Sequence, residues 1–352
     1  MNLSPLFWTL SLLAVSIGIF LALASRAKAR FKKQYPPIGQ LVDIGGYRLH
    51  MHVEGEGMPT VILDSGAGGI GLAWELVRPT IEKVTRVVTY DRAGLGWSDP
   101  SPYPRDAFTM AVELHTMLVN ANIPAPYILV GHSLGGPVVR QFAAKYPNEV
   151  AGLVMVDSAH EQQMKHFPEA MVKMANSMKG MMGAMKLISK LGIFALKPSL
   201  IAIGDNGKLP CELVAQMQGV MASSNSHAEA LVAESESVYT AQTQPVSTLG
   251  DLPLIVISHG QLDANAVPPS LGQQVRDDYE AAWQRLQAEI TSLSTRGRRI
   301  VAERSGHNVI FDQPEIVIES ILEMVESANP QTEVRIPQSG GALIGLSSYH
   351  IL

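Results

Sequence analysis

Along residues 35–328 the chain alternates short apolar runs with longer stretches of helical periodicity, and a single uncharged run of 19 residues, 6–24 (LFWTLSLLAVSIGIFLALA), precedes them. As a helix that run would span about 28 Å at roughly 1.5 Å per residue, close to the hydrocarbon thickness of a bilayer. It has no polar face at helical spacing, so it reads as a membrane-crossing helix rather than a core helix. A cleaved signal peptide is the rival, because Ala22-Leu23-Ala24 resembles a small-residue cleavage site. Residues 1–5, however, carry no Lys or Arg for the positive start of such peptides.

The segments that follow have the periods of strands and helices in turn. After the Tyr35-Pro36-Pro37 linker, residues 41–44 and 48–53 read as paired strands around the Gly45-Gly46 turn, and 60–63 and 86–90 as further strands. A helix is predicted over 109–120, an apolar strand over 127–130 running into Gly131, and a helix over 138–146 stopped by Pro147. Strands at 152–156, 254–258 and 299–302 and helices near 277–293 and 315–325 complete the pattern. Alternation of this kind implies an α/β class with a mostly parallel sheet covered on both faces. Residues 158–250 are too many for an ordinary connection and predict a helical cap. The expected organisation is an anchor with its basic flank (1–34), a globular domain (35–328) with the cap inserted, and a polar tail (329–352).

Charge changes this reading in one respect. Five of the 27 basic residues (Arg26, Lys28, Arg30, Lys32 and Lys33) crowd the end of the apolar run, leaving 22 against 32 acidic groups in residues 36–352. The positive-inside tendency therefore places the globular domain on the cytoplasmic side; signal cleavage would instead lead to secretion. An acidic body is a poor partner for nucleic acid. Cys211 is the only cysteine, which excludes an internal disulfide and four-cysteine zinc sites.

The chemical signal is concentrated in Gly131-His132-Ser133-Leu134-Gly135-Gly136, between an apolar strand and a helical pattern. A G-x-S-x-G sequence in that context is a nucleophile elbow: a sharp turn lifts the serine hydroxyl clear of the sheet and aims the next helix's free N–H groups at the same point. Ser133 is the candidate nucleophile. A serine hydroxyl needs a base, and His307, in Ser305-Gly306-His307-Asn308 just past the last strand, is the candidate. His259 ends a strand and reads as structural or pocket-lining. The acid is Asp263, in the loop after strand 254–258, with Asp157 at the end of strand 152–156 as the alternative. Backbone N–H groups of Leu134 and of Ala67, in the glycine-rich loop after strand 60–63, are the candidate oxyanion donors. No metal or other cofactor is called for.

Tyr90-Asp91-Arg92-Ala93-Gly94-Leu95-Gly96-Trp97-Ser98, the elbow, Leu153-Val154-Met155-Val156-Asp157 and Ser305-Gly306-His307 together resemble the α/β-hydrolase superfamily, in its branch of esterases, epoxide hydrolases and dehalogenases. The resemblance runs from about residue 41 to 325. It implies an eight-stranded, mostly parallel sheet and a Ser-acid-His site, with the acid at either of the two positions above. Epoxide hydrolases and dehalogenases of that branch carry Asp at the nucleophile position, so Ser133 argues against both. Members usually have His-Gly in the oxyanion loop, where this chain has Ser65-Gly66.

The expected activity is hydrolysis of a carboxylic ester, with a small-molecule acyl substrate and the membrane, through the N-terminal helix, as partners. Nine of the 16 methionines lie in the cap, an adaptable apolar surface that suits a lipophilic acyl group as well as plain packing. Peptidase, thioesterase or acyltransferase chemistry on the same residues is the alternative, as is a binding protein that keeps the elbow for structural reasons. Gly180 and Gly183 argue against one continuous helix through the methionine-rich stretch.

Overall fold

The computed structural model describes residues 5–239, 243–263 and 267–329. One sheet contains β1 (Gln40–Asp43), β2 (Arg48–Glu54), β3 (Thr60–Asp64), β4 (Val87–Tyr90), β5 (Tyr127–His132), β6 (Val150–Val156), β7 (Leu254–His259) and β8 (Gly297–Ala302). Their order is β1-β2-β4-β3-β5-β6-β7-β8. β2 pairs antiparallel with β1 and β4, and every other pairing is parallel.

The central strands are apolar throughout because both of their faces are buried. Val61, Leu63, Ile128 and Val130 pack on one side, with Val317, Ile321 and Val325 of α12 (Pro314–Ala328). The alternate positions, Ile62 and Leu129, pack on the other with α3 (Ala107–Asn120) and α4 (Gly135–Lys145). Asp106 starts α3 by accepting the Thr109 N–H at 3.0 Å, which satisfies one of the free donors of a first turn. The short α2 (Arg78–Ile81) follows β3, while α10 (Gln273–Thr291) and the short α11 (Val309–Asp312) flank β8.

Between β6 and β7 stands the helical cap: α5 (Gln163–His166), α6 (Glu169–Lys190), α7 (Ile193–Leu196), α8 (Cys211–Ser223) and α9 (His227–Tyr239). Contrary to the expectation from Gly180 and Gly183, α6 runs unbroken for 22 residues. Both glycines face open space, so each costs only its propensity, about 1 kcal/mol against Ala, and the buried Met171 and Ala175 hold the helix.

The N-terminal helix α1 (Pro5–Gln34) is also longer than the apolar run. It continues through the basic flank, where Ala, Lys and Arg favour helix, and stops before Pro36-Pro37. Within its span Phe7–Gln34 a window of 18 residues reaches a mean hydropathy of 2.2, so the helix is long and apolar enough to cross a membrane. Apart from Asn329, the tail expected over 329–352 lies outside the described residues.

Candidate active site

β5 and β6 occupy the middle of the sheet, and their carboxyl ends open on the crevice where ligands of parallel α/β sheets bind. β5 delivers Ser133 and β6 delivers Asp157, each at positive φ (51° and 41°). Non-glycine residues are rare in this region, at a cost of about 1–3 kcal/mol, and the elbow is locked around the first of them. Ser133 N–H donates to Val156 O at 3.1 Å, and its carbonyl accepts from Gly136 N and Ala159 N at 3.0 and 2.9 Å. A Cβ on Gly131 would lie 2.5 Å from Gly135 O, and one on Gly135 2.4 Å from Asp64 O. The glycines are thus demanded by backbone packed against backbone.

His307, on the loop between β8 and α11, meets both residues: Nε2 lies 3.0 Å from Ser133 Oγ and Nδ1 lies 2.6 Å from Asp157 Oδ2. A carboxylate only accepts, so Nδ1 carries the proton and Nε2 of the neutral ring is left to accept from the serine hydroxyl. His132 holds this loop from below through its Nε2, 3.0 Å from the His307 carbonyl. Burial lowers His132 to about 4, so it is a neutral ring donating from Nε2.

Here the first choice of acid is corrected: the carboxylate on His307 Nδ1 is Asp157's, not Asp263's. Asp263 sits past the end of β7, close to Gly306, where an added Cβ would lie 3.5 Å from its own. Asp157 emerges one strand nearer the elbow and is fully buried, with four donors around it. Its Oδ1 accepts from His259 N at 3.0 Å and Trp283 Nε1 at 2.9 Å; its Oδ2 accepts from His259 Nδ1 at 2.8 Å as well as from His307. Burial alone would raise this carboxyl, but the hydrogen bonds from His259 and His307 outweigh it and hold the group well below the usual carboxylate range.

Two features go beyond the sequence reading, which took His259 only as structural or pocket-lining. One is His259, which faces Asp157 with Nδ1 and Glu280 Oε2 with Nε2, at 2.8 and 3.0 Å. With an acceptor on each nitrogen both must be protonated, so His259 is an imidazolium. Burial disfavours that charge, but the two carboxylates prevail and raise it to about 10. The parallel register that sets Val156 beside Ile257 is the signal that brings the two strand ends together.

The other is Arg92, buried behind the loop after β3. It donates to Asp64 Oδ1 at 2.5 Å, to the carbonyls of Ser65 and Gly66 at 2.6 Å each, and to Glu234 of α9 at 2.8 Å. Glu234 in turn accepts the Gly68 N–H at 2.9 Å. These bonds leave Ala67 at the exposed tip of a clamped loop, and a Cβ on Gly66 would lie 3.3 Å from Ser133 Cβ. Among the described residues neither the Ala67 nor the Leu134 N–H has an acceptor. Nor do they include a group of three or more His, Cys, Asp or Glu side chains placed to hold a metal ion.

Residues 59–187 match a family described as the alpha/beta hydrolase fold. The Bacillus subtilis protein named "Uncharacterized protein YqjL" is 26% identical over 275 residues, covering 78% of this chain and 87% of that one. The Hormonema carpetanum protein named "Probable transporter efuK" is 28% identical over 305 residues, covering 81% of this chain; the match spans only 42% of that relative's length. Among solved structures, an esterase from Thermogutta terrifontis superposes with a TM-score of 0.54 at 21% identity, covering 80% of this chain and 94% of the esterase. The chain has the α/β-hydrolase fold.

Proposed function

We propose that the chain is a serine hydrolase that cleaves a carboxylic ester with a lipophilic acyl group, through an acyl-enzyme on Ser133, and that α1 anchors it in a membrane with the globular domain on the cytoplasmic side. The observation that carries the catalytic reading is the pair of contacts on one imidazole, Ser133 Oγ on Nε2 and Asp157 on Nδ1. In this reading His307 Nε2 takes the Ser133 proton as Oγ attacks the ester carbonyl, and Asp157 stabilises the imidazolium that forms. The oxyanion is received by the N–H groups of Leu134 and Ala67, each such donor being worth about 10²–10³ in rate. His307 then gives its proton to the departing alcohol; a water attacks the acyl-enzyme with the same residue as base, and the carboxylic acid leaves.

A panel of p-nitrophenyl esters of rising acyl length tests this reading. Turnover that grows from acetate towards medium and long chains, and vanishes in Ser133→Ala, is the expected result. No turnover of any ester by the wild type would overturn it. The anchor is tested by membrane fractionation: the chain should stay with the membrane through carbonate washing, and a cleaved soluble form would contradict it.

A further inference from the structure

The apolar run of α1 ends at Ala24, which is where the cap meets it. A Cβ on Gly192 would come within 2.7 Å of the Ala24 Cβ, so the corner between α6 and α7 presses on α1 with no room for a side chain. One turn on, Lys28 Nζ donates to Asn225 Oδ1 at 2.9 Å. Beyond it Phe31 and Tyr35 stack with ring centroids 6.3 Å apart and close over Gly219 of α8, where a Cβ would lie 2.7 Å from the Tyr35 ring. The last third of α1 is therefore docked on the cap, and this sets the height of the cap: the α6–α7 corner stands level with the end of the apolar run.

At that height the cap shows an apolar face that the body does not cover. Leu187 and Leu191, four residues apart at the end of α6, share one face of the helix, and Leu196 and Leu200 follow at the corner, with exposures of 59, 39, 42 and 52%. Four exposed leucines within 14 residues are uncommon on a soluble surface. Residues 170–204 contain five lysines and no acidic residue, in a body that is otherwise acidic, although Lys190 is paired with Glu229 of α9 at 2.7 Å. Exposed Lys190 and Lys197 lie beside the patch, and the exposed Arg26, Lys32 and Lys33 of α1 stand at the same end. Exposed leucines flanked by basic residues are what an anionic bilayer interface accepts. From the patch the chain leads on towards the site. Four residues after Leu200, Gly204 O accepts from Asn308 Nδ2 at 3.0 Å, tying the cap to the neighbour of His307.

We propose that the α6–α7 corner of the cap is a second membrane contact, seating Leu187, Leu191, Leu196 and Leu200 in the interface of an anionic bilayer beside α1, so that a lipophilic ester reaches Ser133 from the membrane. The contact rests on α1 spanning a bilayer, and the delivery of substrate rests on the esterase reading.

The test uses the full chain with Cys211→Ser, reconstituted in vesicles of phosphatidylcholine and phosphatidylglycerol, with single cysteines carrying an environment-sensitive fluorophore. Leu191→Cys and Leu196→Cys on the corner are compared with Phe108→Cys and Val119→Cys on the body. Lipid-borne doxyl quenchers should remove at least half of the fluorescence at the two corner positions and leave the body positions unchanged. Unquenched corner labels, or equal quenching at all four, would overturn the contact whether or not any ester is turned over. Delivery is read by Leu191→Asp/Leu196→Asp. The ratio of its rate on a long-chain p-nitrophenyl ester held in the vesicles to its rate on p-nitrophenyl acetate in water should fall at least fivefold, and an unchanged ratio would overturn it.

Discussion

The ends of β6 and β7 lie side by side, and each strand leads to an aspartate within a few residues, yet the two are built differently. Asp157 leaves β6 in the left-handed region, fully buried, with four N–H donors converging on it. Asp263 comes four residues after the end of β7 on a half-buried loop, and β7 itself delivers His259 to the crevice. A buried carboxylate persists only where fixed donors replace the water it has lost. That condition is met at β6, and β7 supplies part of it. Spacing from a strand end does not decide which acid reaches the histidine; the surrounding donors do.

The largest effect that would separate the two acids is catalytic. Asp157→Asn should lower kcat on a p-nitrophenyl ester by about 10⁴, because Asn no longer selects the Nδ1–H tautomer of His307. Asp263→Asn should lose less than about tenfold, and equal losses would break the comparison. A second buried carboxylate with fixed donors offers a sharper test of the same principle in stability. Glu234→Gln removes the charge that pairs with Arg92 behind the oxyanion loop, and should cost about 3–5 kcal/mol, read from urea unfolding. A cost near zero would mean that the cluster holds nothing in place.

The smaller effects concern His259. Because its value in the fold is raised to about 10, its contribution to stability is present in full below pH about 6.5 and is lost as pH rises through about 10. The wild-type unfolding midpoint should therefore drop between pH 7 and 10, and His259→Gln should flatten that drop while costing about 1–3 kcal/mol at pH 6. A midpoint with the same slope in both proteins would show that His259 is not the titrating group. Asp157, held below its ordinary value, acts in the opposite sense: its contribution is present above pH about 4 and is lost as pH falls further.

What the chain discloses without coordinates follows from the same contrast. Ser133 and His307 were legible because a G-x-S-x-G turn between strand and helix has few other uses, and a histidine past the last strand falls over the same crevice. The sheet was legible because strands buried on both faces read as unbroken apolar runs, as in Tyr127–His132 and Val150–Val156. The choice between Asp157 and Asp263 was not, since it depends on Trp283 and His259, one on α10 and the other on the next strand. Arg92 and Glu234 are 142 residues apart, and nothing local in either segment announces the other. The continuity of α6 was missed for a different reason: a glycine penalty of about 1 kcal/mol is small beside the packing of a long helix.

The account stands most directly on the reactivity of one hydroxyl. Full-length protein treated with a fluorophosphonate and weighed intact should gain a single adduct, assigned by peptide mapping to Ser133, while Ser133→Ala gains none and Asp157→Asn gains it far more slowly than Asp263→Asn. An unlabelled wild type, or an adduct retained in Ser133→Ala, would contradict it.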